Sequence, residues 1–304
     1  MTTTTPSRPW RNALAAVIVL GCMGFVLWGI VRDADAVRFD EIGWSPLVSA
    51  LLVLVGAYVL RALSFGIIVR TMDASAPLWT AARVFLAAQL GRYIPGKVWQ
   101  VAGAGYLGSR FGISATASAV GTAYYVVIHN LVGALLGLWV ITRALPDSRS
   151  SQAGFALLVI GVAAIAFASS PAFPRMIRWL GARLGRNLEF GAIPVWTVFF
   201  TIASSLCVWS LFGVAVVDVF AASLPGETAP SWFVGVTHIA AASVAGLAVL
   251  VAPSGIGVRE AVFVAAFASN YGVGAAGLVA LLLRILMSTV ELVLSGLSLV
   301  HTPK

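Results

Sequence analysis

The stretch GRYIPGKVWQ, residues 91–100, interrupts an apolar region and decides how this chain folds. It carries two cations, Arg92 and Lys97, and a Pro95–Gly96 step. The step breaks a helix, because proline lacks a backbone donor and glycine frees the turn. At about 1.5 Å per residue, neither flanking arm could cross a hydrocarbon core about 30 Å thick. The stretch therefore predicts a re-entrant helical hairpin. Its arms are residues 79–93 and 98–110.

The composition places the chain in a membrane. Of its 304 residues, 60% are hydrophobic and 10% are charged, whereas soluble domains are about half apolar and a quarter charged. Six stretches approach or exceed the roughly 20 residues that span a bilayer. They are residues 13–31, 46–70, 114–141, 153–169, 193–220 and 275–301. We therefore expect an all-α polytopic membrane protein with six spanning helices and two re-entrant hairpins.

A second region, residues 230–269, follows the plan of the first, residues 77–110, although its first arm, residues 232–251, is long enough that it could span instead. Each opens on a Pro-x-Trp triplet and turns at a Pro/Gly motif, and past the turns the two align without gaps at an offset of 160 residues. We therefore expect one membrane domain, residues 1–304, built as an inverted repeat like many secondary transporters. Its halves are residues 1–145 and 146–304, and its hairpin turns are formed by Pro95, Gly96, Pro253, Gly255 and Gly257.

The basic residues predict the orientation. With the N-terminus inside, nine of them lie inside and four outside, as the positive-inside rule requires. The inner group is Arg8, Arg11, Arg70, Arg110, Arg175, Arg178, Arg183, Arg186 and Lys304, and the outer group is Arg32, Arg38, Arg143 and Arg149. We expect a multi-pass protein of the cell membrane with both termini cytoplasmic. The first hairpin would then enter from the inside and the second from the outside.

Six cations and two anions lie within the predicted membrane segments: Arg61, Arg83, Arg92, Lys97, Arg259, Arg284, Glu260 and Glu291. Each charge at a helix centre costs about 2.5–3.5 kcal/mol. One interpretation is that these residues reach the interface or pair locally. We favour another, in which a lipid phosphate supplies the missing negative charge, since guanidinium groups suit phosphate. Its predicted ligands are Arg61, Arg92, Lys97 and Arg259.

Three residues could couple lipid movement to protons: Glu260, Glu291 and His129. For Glu291, a structural ion pair with Arg284 or Arg61 is the competing interpretation. For His129, it is a hydrogen-bonded packing role between helices. The sequence contains no HExxH, CxxC, P-loop or GxSxG motif. We therefore expect no metal, no cofactor and no nucleotide-driven pump.

At LGRYIPGKVWQ, residues 90–100, and APSGIGVREAVF, residues 252–263, the chain resembles a known membrane domain. It is the flippase-like domain of the lysylphosphatidylglycerol synthases, the multiple peptide resistance factor family. The resemblance covers nearly the whole chain, including the arginine within the second helix. It implies movement between leaflets of a lipid with a phosphorylated head group. Relatives attached to glycosyltransferases add polyprenyl-phosphate-linked sugars to the implied cargoes. We expect a stand-alone member without the aminoacyl-transferase domain and infer no lysyl transfer.

The expected function is transbilayer movement, by a flippase or scramblase, of an anionic phospholipid or polyprenyl-phosphate-linked lipid. We thus expect a transporter rather than an enzyme. Two alternatives stay open. One is an intramembrane enzyme acting on a lipid phosphate, for which only His129, Glu260 and Glu291 could serve as acid or base. The other is a non-catalytic membrane partner of a separate glycosyltransferase or lipid-modifying enzyme. No nucleic-acid partner is expected.

Overall fold

The computed structural model describes residues 21, 23–32, 42–94, 98–143, 147–183, 193–249 and 253–300. Within these residues the chain is all-α, as expected, and contains no strand. The helices are α1 (Met23–Arg32), α2 (Trp44–Met72), α3 (Leu78–Ala88), α4 (Trp99–Arg110), α5 (Ala115–Arg143), α6 (Asp147–Ser169), α7 (Ala172–Arg183), α8 (Val195–Ser223), α9 (Trp232–Ala248), α10 (Val258–Tyr271) and α11 (Val273–Leu299). Two 3₁₀ turns, Gln89–Tyr93 and Pro253–Gly255, follow α3 and precede α10.

Four helices, α2, α5, α8 and α11, are long and apolar enough to cross a membrane, and each corresponds to a predicted span. The predicted span 153–169 lies in α6, which meets α7 at a bend of 74° and counts as a fifth span only if the two helices are taken together. The first predicted span, 13–31, lies largely outside the described residues. The described part of the chain therefore shows four spans, or up to five.

Small residues bring the central helices into backbone contact. A Cβ on Gly213 of α8 would lie 2.9 Å from the backbone nitrogen of Val236 in α9, and one on Gly137 of α5 would lie 2.8 Å from Cα of Ala241, also in α9. Glycine and alanine at helix crossings allow such close approach in membrane proteins. Helices α5, α8 and α9 therefore pack tightly together, and α2 packs along α8.

The first helix break separates α3 and its 3₁₀ turn from α4. The two arms contact each other, and Gln100 Nε2 donates to Gln89 Oε1 at 3.0 Å across them, between two buried side chains. The predicted turn residues Pro95 and Gly96 lie outside the described residues, as does Lys97. The hydrogen bond between Gln100 and Gln89 therefore joins the two arms on either side of residues 95–97.

The second break separates α9 from α10, which also contact each other. Its backbone takes left-handed conformations at Ser254, Gly255 and Gly257, with φ of 52°, 68° and 84°. Such φ values end a helix and favour glycine. The two 3₁₀ turns, one at each break, contact each other. The interruptions of both predicted hairpins therefore lie side by side between the long helices.

Candidate functional site

A cavity of about 130 Å³ lies beside the two breaks. Long helices and both break regions contribute to its wall. Its charged lining consists of Arg61, Arg92 and Arg259. Its other polar and aromatic lining includes Tyr58, Gln100, His129, Asn130, Trp209, Phe212 and Ser254. Three of the four predicted phosphate ligands thus line one cavity, although they come from α2, the first 3₁₀ turn and α10. The fourth, Lys97, lies outside the described residues.

Arg61 enters the cavity from the middle of α2. It is 7% exposed, and its Nε has no hydrogen-bond partner among the described residues. Its guanidinium carbon lies 5.3 Å from the ring centroid of Tyr58 and 5.9 Å from that of Phe85. Aromatic rings attract a cation without neutralising it. No carboxylate in the described part of the chain forms an ion pair with Arg61, so its positive charge is uncompensated there.

Arg259, at the start of α10, is also without a carboxylate partner among the residues described. Its Nη2 lies 2.7 Å from Sδ of Met287 on α11. A thioether sulfur is a weak acceptor and carries no net charge. Arg259 forms no ion pair with its neighbour Glu260, because the Glu260 side chain turns to the backbone of Gly257 and to Arg284 instead. Arg259 therefore has no carboxylate within ion-pair distance in the described part of the chain.

Arg92 is the one cavity-lining arginine with a carboxylate partner in the described part of the chain. Its Nη1 lies 3.2 Å from Oε1 of Glu291, and the hydroxyl of Tyr58 donates to Oε2 of Glu291 at 3.2 Å. The competing interpretation for Glu291 is a structural ion pair with Arg284 or Arg61; an ion pair does form, but its partner is Arg92. The 3₁₀ turn that carries Arg92 packs against α11 and brings this arginine to Glu291.

Glu260 serves a local structural role. Its Oε2 accepts the backbone N–H of Gly257 at 2.7 Å, which caps α10, and its Oε1 lies 3.5 Å from Nη1 of Arg284. The N-terminus of α10 is therefore already occupied by one of the protein's own carboxylates. Arg284 pairs with α10 rather than with Glu291, because seven residues along one helix amount to about 10 Å.

His129 is a packing residue, but it packs by stacking. Its ring lies between those of Tyr125 and Trp209, with centroid distances of 5.5 and 4.9 Å. Its Nδ1 has no partner among the described residues, and its backbone carbonyl accepts from Trp209 Nε1 at 3.0 Å. The expected side-chain hydrogen bond is thus absent at Nδ1, and a proton-relay role stays a prediction.

Sequence reasoning missed much of the uncharged lining. Tyr58 carried a usable signal, because it lies three residues before Arg61 and so on the same face of α2. Asn130 adjoins His129 in the sequence. Met287 carried the same kind of signal, because it lies three residues after Arg284 and four before Glu291 on one face of α11. Trp209 carried none, since it lies in a long apolar run far from the charged motifs. In the described part of the chain, no group of three or more His, Cys, Asp or Glu side chains could hold a metal ion.

A separate apolar groove of about 220 Å³ runs between α2, α3 and α11. Arg83 lies along it and donates to the backbone oxygen of Ser298 from Nη2 at 3.0 Å and from Nε at 3.3 Å. Neighbouring residues of α2 face the two spaces: Arg61 lines the cavity and Ala62 lines the groove. The helix α2 therefore separates a polar cavity from an apolar groove.

Comparison with known proteins gives one family. A family model described as the lysylphosphatidylglycerol synthase TM region matches residues 12–295, which is most of the chain. This match agrees with the resemblance at the two Pro/Gly motifs and places the chain in a lipid-related membrane context. No curated protein matches the chain.

Proposed function

The chain belongs to the lysylphosphatidylglycerol synthase transmembrane family, and from that premise we propose that it moves an anionic lipid between bilayer leaflets, as a flippase or scramblase. The observation that carries this proposal is the convergence of Arg61, Arg92 and Arg259 in one cavity. Buried charges are normally paired. Two of these three have no carboxylate partner among the described residues, so a phosphate that enters the cavity would supply the missing charge.

The groove supports the same function. A lipid needs a polar site for its head group and an apolar surface for its chains. The cavity lined by arginines offers the first, and the groove between α2, α3 and α11 offers the second. Both α2 and α11 contribute residues to the two spaces. The lipid would place its phosphate in the cavity while its chains stay in the surrounding bilayer, where the groove is one apolar surface they could contact.

The architecture that we propose for this movement has six spans and two re-entrant hairpins in an inverted repeat. The short, mutually packed arms around each break and the contact between the two 3₁₀ turns support it. The hairpins would enter from opposite faces and meet at mid-depth. Cysteine labelling in intact cells tests this arrangement. Positions near 77 and 110 should react from the inside and positions near 230 and 270 from the outside, whereas ends of one region that react from opposite sides would show a span.

Release of the lipid needs a competitor for the arginines, and Glu291 has the position for that role. Its ionised carboxylate holds Arg92 at 3.2 Å, so it competes with a lipid phosphate for the same guanidinium. Protonation of Glu291 would leave Arg92 free and strengthen lipid binding. Proton coupling through Glu291 is therefore part of this proposal, and Glu260, committed to the cap of α10 and to Arg284, is the less suitable group.

The enzyme alternative has less support. It requires a free acid or base at the cavity, but Glu291 is paired with Arg92, and Glu260 is paired with Arg284. His129 lines the cavity, yet both of its ring faces are covered by aromatic rings. The role of a non-catalytic partner of a separate synthase would not call for uncompensated charges inside the protein.

Reconstituted vesicles test the proposed function. A fluorescent anionic lipid should move between leaflets in the presence of the protein, and Arg61→Ala or Arg259→Ala should slow this movement. A charge-assisted hydrogen bond contributes about 1.5–3 kcal/mol, so the affinity of each variant for the anionic lipid should fall about tenfold or more. Arg70→Ala is the matched control, because Arg70 lies on the same helix as Arg61 but is exposed. Equal movement with all three variants would refute the site.

A further inference from the structure

The charges that face the cavity do not balance within the described part of the chain. Three guanidinium groups line it, and Glu291 neutralises that of Arg92. Arg61 has aromatic neighbours, and Arg259 has the sulfur of Met287. The difference is therefore three positive charges minus one negative charge, which leaves two positive charges for a ligand to neutralise.

The larger neutral donors of the lining already have partners inside the protein. Asn130 Nδ2 donates to the carbonyl of Val126 at 2.7 Å, and Trp209 Nε1 donates to that of His129 at 3.0 Å. Gln100 Nε2 donates across the first hairpin. Each of the two amides, Asn130 and Gln100, keeps a second N–H, but the charged donors that the described lining offers a ligand are the guanidinium groups. Recognition in this cavity must therefore depend mainly on charge.

Phosphate esters differ in the charge that they bring. The phosphodiester of an ordinary phospholipid carries one negative charge, whereas a phosphomonoester carries close to two at pH 8, because its second pKa is about 6. The zwitterionic head group of phosphatidylethanolamine brings no net charge and adds an ammonium next to three guanidinium groups. A phosphomonoester thus matches the two uncompensated charges most closely.

We propose that the cavity selects a lipid phosphomonoester over a lipid phosphodiester, because Arg61 and Arg259 present two guanidinium charges that no described carboxylate neutralises. This inference rests on the proposed function, since it names the class of lipid that the same site takes. The cavity of about 130 Å³ has room for a phosphate group. Among membrane lipids, phosphatidic acid and polyprenyl monophosphates have this head group.

The test compares lipids with identical acyl chains on the purified full-length protein at pH 8. The probes are phosphatidic acid, phosphatidylglycerol and phosphatidylethanolamine, with binding measured by native mass spectrometry. We expect phosphatidic acid to bind about tenfold or more tightly than phosphatidylglycerol, the fold-change that one further charge-assisted hydrogen bond gives. Equal affinity for these two lipids in the wild-type protein would overturn the inference without recourse to any variant.

Variants then locate the selectivity. Arg61→Gln and Arg259→Gln should each bring the ratio of the two affinities close to one, and Arg70→Gln should leave it unchanged. An unaltered ratio in both cavity variants would overturn the assignment. Inorganic phosphate separates a lipid site from a free-phosphate site: we expect equimolar phosphate not to displace phosphatidic acid, and displacement would overturn the lipid part of the inference.

Failure of this inference can be distinguished from failure of the proposed function. Vesicles without lipid movement would refute transport even if phosphatidic acid binds preferentially. Movement of both lipids with equal binding would refute the selectivity and leave transport standing. The two measurements use different readouts on the same protein.

Discussion

Replacing Glu291 with glutamine would measure how strongly this carboxylate competes with lipid for Arg92. In the structure, Arg92 Nη1 lies 3.2 and 3.4 Å from the two carboxylate oxygens, and Tyr58 donates to one of them. Glutamine keeps nearly the same shape but removes the charge. Since a hydrogen bond to a charged group contributes about 1.5–3 kcal/mol, the affinity for an anionic lipid should rise about tenfold or more.

The same substitution should lower the free energy of unfolding of the lipid-free protein. Removing one partner of a buried ion pair costs about 3–5 kcal/mol. The side chain of Arg92 is 28% exposed, so we expect a loss near or below the lower end. Thermal unfolding in detergent should therefore show a lower midpoint without lipid, and a saturating anionic lipid should restore part of it. A titration with the same lipid gives the dissociation constant.

Glu260→Gln is the matched control. Glu260 is as buried as Glu291 and is also paired with an arginine, but it does not line the cavity. Its substitution keeps an oxygen that can cap α10 but removes the charge paired with Arg284, so it should lower the unfolding midpoint without tightening lipid binding. Tighter binding in both variants, or in neither, would refute the idea that Glu291 competes with the lipid.

Three further predictions concern stability, each measured by thermal unfolding in detergent. Gly213→Ala should destabilise the protein by about 1–3 kcal/mol, because the new Cβ would lie 2.9 Å from a backbone nitrogen of α9. Gly56→Ala is the control: a Cβ there would have nothing within 4 Å, so the substitution should be neutral or stabilising. Equal effects of the two substitutions would contradict this prediction. Gly255→Ala should also destabilise the protein by about 1–3 kcal/mol, since the φ of this residue is 68° and the new Cβ would lie 2.9 Å from the backbone of α9. An effect as small as that of Gly56→Ala would contradict this prediction. Hydrogen bonds lower the pKa of Asp73, and the largest contribution comes from the Ser75 hydroxyl. A lowered pKa stabilises the folded state at pH values above the unfolded-state pKa of about 3.9. Wild type should therefore have a higher unfolding midpoint than Asp73→Asn at neutral pH, and this difference should vanish as pH falls through the lowered pKa. A difference in midpoint that persists in acid would refute the prediction.

Much of the fold could be predicted because apolar length and helix breaks are local properties. The spans in α2, α5, α8 and α11 follow from uninterrupted apolar runs. The end of α6 and its bend to α7 coincide with Pro171, which disfavours a continuous helix. The short arms on either side of both breaks follow in the same way from Pro/Gly motifs that end a helix wherever they occur.

The site could be predicted only in part, because ion pairs depend on which helices pack together. Excess positive charge at membrane depth predicted an anion site, and Arg61, Arg92 and Arg259 do line one cavity. The partner of Glu291 could not be read from the sequence, since it lies 199 residues from Arg92 along the chain. The aromatic wall at Trp209 is likewise a product of packing, since nothing near it in the sequence marks it.

The contact between Arg259 and Met287 bears on the entropy of binding. An arginine side chain that is free in solution loses about 2 kcal/mol of rotamer freedom when it is fixed. The contact with the Met287 thioether restricts Arg259 but leaves its charge intact, so part of this ordering takes place as the protein folds. Preorganisation of this kind lowers the entropic cost of association. The affinity of the arginine for an incoming phosphate should therefore reflect the fit of the two groups more than any closing of the protein around them.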